Sequence, residues 1–332
     1  MTLSIRDLAI QIGTDRVVHV DALDVPAGGR LGLVGESGSG KTLTAMSIAG
    51  LLAPEIRVNG SVQLDGRELV GRADRSMARI RGAEIGVVFQ DPLRALNPMM
   101  RIGRQIAEAV RLGNRPISGA EIRSRVVELV DQVGLSGVEG VTRRYPHQLS
   151  GGQRQRTLIA VAIASRPKLL IADEPTTALD VTVQEGILDL LLELSTTRRM
   201  ALLFVSHDLG VVRRVSERVA VMYGGRLVET GTARSVLERS HHRYTEALIA
   251  ASPWLTGPTE RAELIGRPLD AIPGSVPEFG QFPEGCGFRD RCTHAIDRCA
   301  ERPPATTTSD DHTFTCWNPA HMREADLHDI RT

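Results

Sequence analysis

Eight residues constrain this chain more than any others: Gly35-Glu36-Ser37-Gly38-Ser39-Gly40-Lys41-Thr42. They fit G-x-x-x-x-G-K-[ST], a pattern that cradles phosphate where it joins a strand to a helix. Arg30 to Val34 before it reads as a short buried strand, and Leu43 to Leu52 after it as a helix. Glycines let the backbone curl until several N–H groups face inward at a helix N-terminus, which makes an anion nest. In this reading Gly35, Ser37, Gly38, Ser39 and Gly40 line the nest, Lys41 reaches the β- and γ-phosphates, and the Thr42 hydroxyl holds Mg²⁺. Among 40 basic residues the lysines are Lys41 and Lys168 alone. A lysine kept among arginines points to a need for a compact charge rather than a planar fork.

The runs Leu3 to Ile12 and Arg16 to Val25 read as strands, and Ser61 to Asp65 with Gly66-Arg67 as a further hairpin, which predicts a small antiparallel layer around the loop. Ile85 to Phe89 is an apolar strand ending at Gln90. From Arg101 to Arg166 the pattern is helical, with Ile102, Ile106, Ala109 and Val110 and then Ile122, Val126, Leu129 and Val133 in phase. Lys168 to Asp173 and Ala201 to Ser206 are continuously apolar, as strands covered on both faces are. Val183 to Leu194 is the expected crossover helix, and Val219 to Glu229 a closing hairpin. Formal net charge is zero, so no basic field favours nucleic acid or a membrane surface. No apolar run reaches the roughly 18 residues of a membrane-spanning helix, and the N-terminus lacks a signal-peptide layout. A cytoplasmic chain is expected, with any membrane role supplied through a partner.

Phosphoryl transfer to water needs a metal, a group that orients or deprotonates the water, and charge stabilisation. Leu169-Leu170-Ile171-Ala172 runs into Asp173 and Glu174. Asp173, at the strand end, is placed toward Mg²⁺, and Glu174 toward the attacking water. Gln90 and His207 also end strands, where an amide can reach metal or water and an imidazole can contact the γ-phosphate. Leu149-Ser150-Gly151-Gly152-Gln153 precedes an apolar helix, with Ser150 as N-cap and two glycines forming a second anion site.

Phosphate loop, Gln90, LSGGQ, the acid pair, Ala178-Leu179-Asp180 and His207 occur in an order and spacing that resemble the ATP-binding subunit of an ABC transporter. The resemblance implies an α/β P-loop NTPase core with an antiparallel β subdomain and a helical subdomain. It implies head-to-tail pairing, with each ATP held between one subunit's phosphate loop and the other's LSGGQ. Lys41, Ser37, Gly38, Gly40 and Thr42 then serve phosphates and Mg²⁺, Gln90 and Asp173 complete the metal and water shell, and Glu174 is the catalytic carboxylate. His207 is the switch histidine, Ser150, Gly151, Gly152 and Gln153 face the partner's nucleotide, and Asp180 lies in the loop that crosses to it. One departure stands out: relatives stack adenine on an aromatic near the end of the first strand, and Leu3 to Val25 holds no Phe, Tyr or Trp around Ile12.

Near Pro253 the composition changes. Prolines recur (Pro253, Pro258, Pro268, Pro273 and on), and after residue 250 there are 13 acidic residues against 8 arginines, which predicts a boundary between 1–250 and 251–332. The four cysteines, Cys286, Cys292, Cys299 and Cys316, all lie in this tail. Their thiols suit tetrahedral zinc or a 4Fe–4S cluster, and unmetallated or disulfide-linked thiols stand beside these. His294, His312 and His321 are alternative ligands, and read more simply as exposed loop histidines. Phe89-Gln90-Asp91-Pro92, Tyr145-Pro146-His147-Gln148, His242-Arg243-Tyr244-Thr245 and Gly285-Cys286-Gly287-Phe288 resemble the dipeptide and oligopeptide importer subfamily. That resemblance implies peptide uptake, a second ATPase subunit, two transmembrane permease subunits, an extracytoplasmic binding protein, a place on the cytoplasmic face of the membrane, no nucleic-acid partner, and a 4Fe–4S cluster rather than zinc. Permease contacts fall near Pro92 to Arg115. Uptake of nickel or another small solute shares the same motifs. A soluble ABC ATPase of DNA repair or translation is the remote alternative, and its usual coiled coils and inserted zinc modules are not visible.

Overall fold

The chain opens with β1 (Leu3–Ile12), β2 (Asp15–Val25) and β3 (Arg30–Val34), then the phosphate loop and α1 (Lys41–Ala49). β4 (Ile56–Leu64), β5 (Arg67–Glu68), α2 (Asp74–Ala83), β6 (Ile85–Val88) and the single turn α3 (Pro92–Ala95) follow. α4 (Ile102–Arg111), α5 (Gly119–Gln132) and α6 (Gly151–Ile163) make the helical insert. The chain returns through β7 (Leu169–Asp173), α7 (Val181–Arg198), β8 (Ala201–Ser206), α8 (Leu209–Val215), β9 (Arg218–Tyr223), β10 (Arg226–Thr232), α9 (Ala233–Glu238) and α10 (Arg243–Ala250). The tail adds β11 (Thr306–Thr307) and β12 (Thr313–Phe314). This computed structural model describes residues 2–113, 116–177, 179–252, 255 and 271–322. Ala178, Arg115 and prolines 253, 258 and 268 lie outside the described residues.

The sheet runs β5-β4-β1-β2-β10-β9-β3-β8-β7-β6. Its centre, β9-β3-β8-β7-β6, is parallel, and β1, β2, β4 and β5 form the expected antiparallel layer. Alternate side chains of the central strands enter two cores, as a period of two requires. Leu169, Ile171, Leu203 and Val205 pack with the antiparallel layer and α1. Leu170, Ala172, Leu202 and Phe204 pack with the helical insert, α7 and α8. This double burial explains why β7 and β8 are continuously apolar.

The helical insert follows the predicted phase: α4 buries Ile102, Ile106 and Val110, and α5 buries Ile122, Val126 and Leu129. Ser118 and Glu121 close a capping box at the start of α5. The crossover helix α7 is longer at both ends than the apolar pattern suggested, because the Asp180 side chain accepts from Val183 N–H (3.0 Å) and caps it two residues earlier.

The described tail, residues 271–322, folds back on the core. β12 pairs with β10 through Glu229–Phe314 and Thr230–Thr313. The Phe288 ring sits 5.3 Å from Tyr223 and 5.2 Å from Tyr244. His294 and His321 are exposed, but His312 is not the loop histidine expected: it is 2% exposed, with Nε2 2.7 Å from Glu229 Oε1. A carboxylate buried on β10 supplies the partner that lets an imidazole leave water.

Candidate nucleotide site

β3 delivers the backbone to Gly35, which passes so close to the Met222 carbonyl that any Cβ would collide with it. Gly38 and Gly40 take φ of 80° and 100°, the left-handed region open to glycine. α1 starts at Lys41, so its unsatisfied first-turn N–H groups open onto the loop. Lys41 is buried, and its Nζ donates to the carbonyls of Gly35 (2.8 Å) and Glu36 (2.9 Å). Burial pulls the Lys41 pKa below its ordinary value, while Glu174, Asp173 and Glu36 oppose that shift.

The Thr42 hydroxyl donates to Asp173 Oδ1 across 3.2 Å. Burial raises the Asp173 pKa, and the Thr42 hydrogen bond works against it. A hydroxyl and a carboxylate at the mouth of an anion nest are the hard oxygen donors that Mg²⁺ takes, so the donor set fits Mg-ATP. Glu174 follows at φ 46°, a conformation that costs a residue with a side chain on the order of 1 kcal/mol. Its N–H donates to Val205 O (2.9 Å), and its carboxylate is held from three directions. Gln90 Nε2 donates to Oε2 (3.2 Å), Thr177 Oγ1 donates to the same oxygen (3.0 Å), and His207 Nδ1 lies 3.1 Å from Oε1. Thr177 had no signal of its own in the sequence.

Ser150, Gly151, Gly152 and Gln153 stand apart from this cluster. Ser150 and Gln153 form a capping box at the start of α6, and the glycines lie against Leu179 and Val183. Among the described residues none of the four bonds to residues 35–42. Ile12, at the end of β1, is 44% exposed.

Two further residues reach the loop from the other end of the chain. Arg291 donates to both carboxylate oxygens of Glu36, NH1 to Oε2 at 2.8 Å and NH2 to Oε1 at 3.0 Å. The Tyr244 hydroxyl accepts from the Glu36 N–H at 2.8 Å. A pairing across 255 positions leaves no local pattern to read.

The four cysteines are free. The N–H of the second residue onward faces the sulfur at Cys286, Cys292 and Cys316, from Phe288, His294 and Asn318. Burial pushes Cys286 up to about 11 and Cys316 up to about 12. The donor chemistry suits a thiolate-bound group, but the arrangement does not close on one. Among the described residues no three His, Cys, Asp or Glu side chains are grouped to hold a metal ion.

The family model described as ABC transporter matches residues 18–177, and that described as Oligopeptide/dipeptide transporter, C-terminal region, matches residues 228–299. A peptide import ATP-binding protein of Brucella ovis is 44% identical over 310 residues, which is 90% of this chain and 91% of the relative. The oligopeptide transport ATP-binding protein OppD of Salmonella typhimurium is 42% identical over 321 residues, 96% of this chain and 93% of OppD. Among solved structures, the ATP-binding cassette MJ0796 in a post-hydrolysis dimer with ADP and Pi superimposes with a TM-score of 0.61 at 28% identity, covering 70% of this chain and 99% of the cassette. CbiO1 of Clostridium perfringens, part of the ABC transporter complex cbiONQ, gives 0.63 at 26% identity, covering 72% and 91%. An ATPase-type nest, a carboxylate held over it and this likeness along the chain converge: the protein belongs to the ATP-binding subunits of ABC transporters, in the group with an oligopeptide/dipeptide-type C-terminal region.

Proposed function

We propose that this chain hydrolyses ATP to drive uptake of di- or oligopeptides across a membrane. The observation that carries the catalytic part is the Glu174 carboxylate, held by Gln90, Thr177 and His207 beside the Thr42–Asp173 pair. Gly35, Ser37, Gly38, Ser39, Gly40 and Lys41 hold the phosphates of the substrate ATP. Thr42, Gln90 and Asp173 hold Mg²⁺, which neutralises phosphate charge when bound. Glu174 orients and deprotonates water, Gln90 positions it, and His207 senses the terminal phosphate through its contact with Glu174. Ser150, Gly151, Gly152 and Gln153 serve the nucleotide of a second ATPase subunit, which suits their separation from this chain's own loop.

The peptide reading is supported by the names of the relatives and by the C-terminal region. No helix among the described residues is long and apolar enough to cross a membrane. A peripheral place on the cytoplasmic face, bound to two permease subunits fed by an extracytoplasmic binding protein, follows from the proposal. Leu93 and Met99, exposed within the stretch after Gln90, support docking there. Co-expression with the membrane subunits and uptake of labelled peptide tests the reading. Uptake of nickel in place of peptide would overturn the solute, and ATPase activity stimulated by DNA or ribosomes without membrane partners would overturn transport itself.

We also propose the four cysteines as ligands of a 4Fe–4S cluster, with zinc as the competing occupant and a structural role for either. Support comes from four free thiols with backbone N–H groups facing three of the sulfurs. Binding would require the side chains to close further than they do here. Anaerobic purification should give a brown protein with iron and sulfide; a colourless protein with one equivalent of zinc would refute the cluster.

A further inference from the structure

Glu36 places a negative charge inside a loop built to bind anions. Its backbone carbonyl accepts from Lys41 Nζ at 2.9 Å, so the charge stands beside the loop lysine. Among the described residues the ion pair of Glu36 is with Arg291, which arrives on a turn at Arg289–Arg291 in the C-terminal region. The pair is built rather than incidental. The Arg291 side chain is 6% exposed, and each terminal nitrogen donates to a different carboxylate oxygen. Its Nε donates to Pro273 O (2.8 Å), NH1 also reaches the Tyr223 hydroxyl (3.4 Å), and the guanidinium carbon lies 5.9 Å from the ring centres of Tyr223 and Phe288. A planar fork with its donors directed this way loses little freedom on pairing.

We propose that Arg291 sets the triphosphate affinity of the phosphate loop by neutralising Glu36, so that the C-terminal region is a working part of the nucleotide site. Arg291 meets the loop through the Glu36 carboxylate and is a positioning residue acting through it. Unpaired, the Glu36 carboxylate repels a polyanion at the neighbouring N–H groups, and it competes with phosphate for Lys41. Tyr244, which holds the Glu36 N–H, keeps the backbone in place while the side chain is neutralised.

Binding of Mg-ATP to the full-length chain, measured calorimetrically, tests this. Arg291→Met should raise the Kd about tenfold, as expected for one uncompensated charge close to an anion site. Adding Glu36→Gln to Arg291→Met should bring the Kd back to within about threefold of wild type, because the repelling charge is gone. A purely structural arginine would not be rescued in this way. Arg291→Met that binds within about twofold of wild type, or a double variant as weak as the single one, would overturn the proposal. Where Arg291→Met does not fold, Arg291→Gln with and without Glu36→Gln carries the same comparison, since glutamine removes the charge but keeps a polar donor at the end of the side chain. Wild-type binding of Mg-ATP in the same assay separates failure here from failure of the nucleotide site as a whole.

Discussion

His207 Nδ1 lies 3.1 Å from Glu174 Oε1, and these two residues close the C-terminal edges of neighbouring parallel strands, β8 and β7. Gln90, two residues beyond β6, binds the other oxygen of the same carboxylate. Three adjacent strand ends therefore converge on one group, at the edge where open α/β sheets place ligands. Asp173, one residue earlier, is turned to Thr42 at the start of α1. The left-handed backbone of Glu174 separates the two acids, giving one to the Thr42 side and the other to the Gln90–His207 side.

Glu174→Gln keeps the shape and the Thr177 and Gln90 neighbours but removes the carboxylate that we propose as the base. Hydrolysis by the assembled complex should fall by roughly 10²-fold or more, while Mg-ATP binding stays within about threefold of wild type. Single-turnover counting is the right measurement, since a second site in the complex can still fire. Wild-type turnover at the substituted site would take catalysis away from Glu174.

The parts legible in the sequence are those whose partners lie nearby in the chain or whose spacing repeats. The phosphate loop announces itself because its glycines, Lys41 and Thr42 are consecutive. Asp173 and Glu174 do so because an apolar strand runs straight into them. The stripe Ile102, Ile106, Val110 sets α4 by period alone. What could not be read depends on distant pairing. His312 reads as an exposed histidine because Glu229 is 83 positions away, and nothing beside Arg291 in the chain points to Glu36, which is 255 away. Helices α8 and α9 are too short for periodicity to emerge, and each starts on a cap, Asp208 and Thr232, rather than on an apolar repeat.

Phe288 joins the C-terminal region to the nucleotide-binding core. It is buried among Tyr223, Tyr244 and His242. Phe288→Ala should cost about 3–5 kcal/mol in stability, the range for emptying a buried aromatic site. Denaturant unfolding followed both by tail and by core probes should shift together. A loss confined to the tail signal, with the core midpoint unmoved, would mean the two regions are energetically independent.

His242 gives a pH prediction with a definite sign. It is fully buried, its Nδ1 accepts from Tyr244 N–H (3.0 Å), and its backbone N–H donates to Glu229 Oε2 (3.1 Å). Burial lowers its pKa from 6.5 to about 4, and Glu229 only partly opposes this. Between those values the unfolded chain binds a proton that the folded chain does not. Stability is therefore lost as pH falls through that window, by up to about 3 kcal/mol at its lower end. His242→Asn keeps an N-cap acceptor without a titrating group. Urea midpoints at pH 7 and pH 5 should fall less for the variant, by an amount equivalent to about 2 kcal/mol. Equal losses in the two proteins would remove His242 from the acid response.

Ile12 tests how the nucleotide grip is divided between base and phosphates. It is exposed at the end of β1 opposite Asp15, where an aliphatic side chain offers less surface to a purine than an aromatic ring does. Ile12→Tyr should tighten Mg-ATP binding, since stacking one base on an aromatic contributes about 1–3 kcal/mol. The gain should be of similar size for ADP, because it arises at the base. Arg291→Met, acting through Glu36, should instead weaken ATP more than ADP, because it arises at the phosphates. Titrating both nucleotides against both variants separates the two ends of the ligand. Unchanged or weaker binding by Ile12→Tyr would show that the base lies elsewhere than over the end of β1.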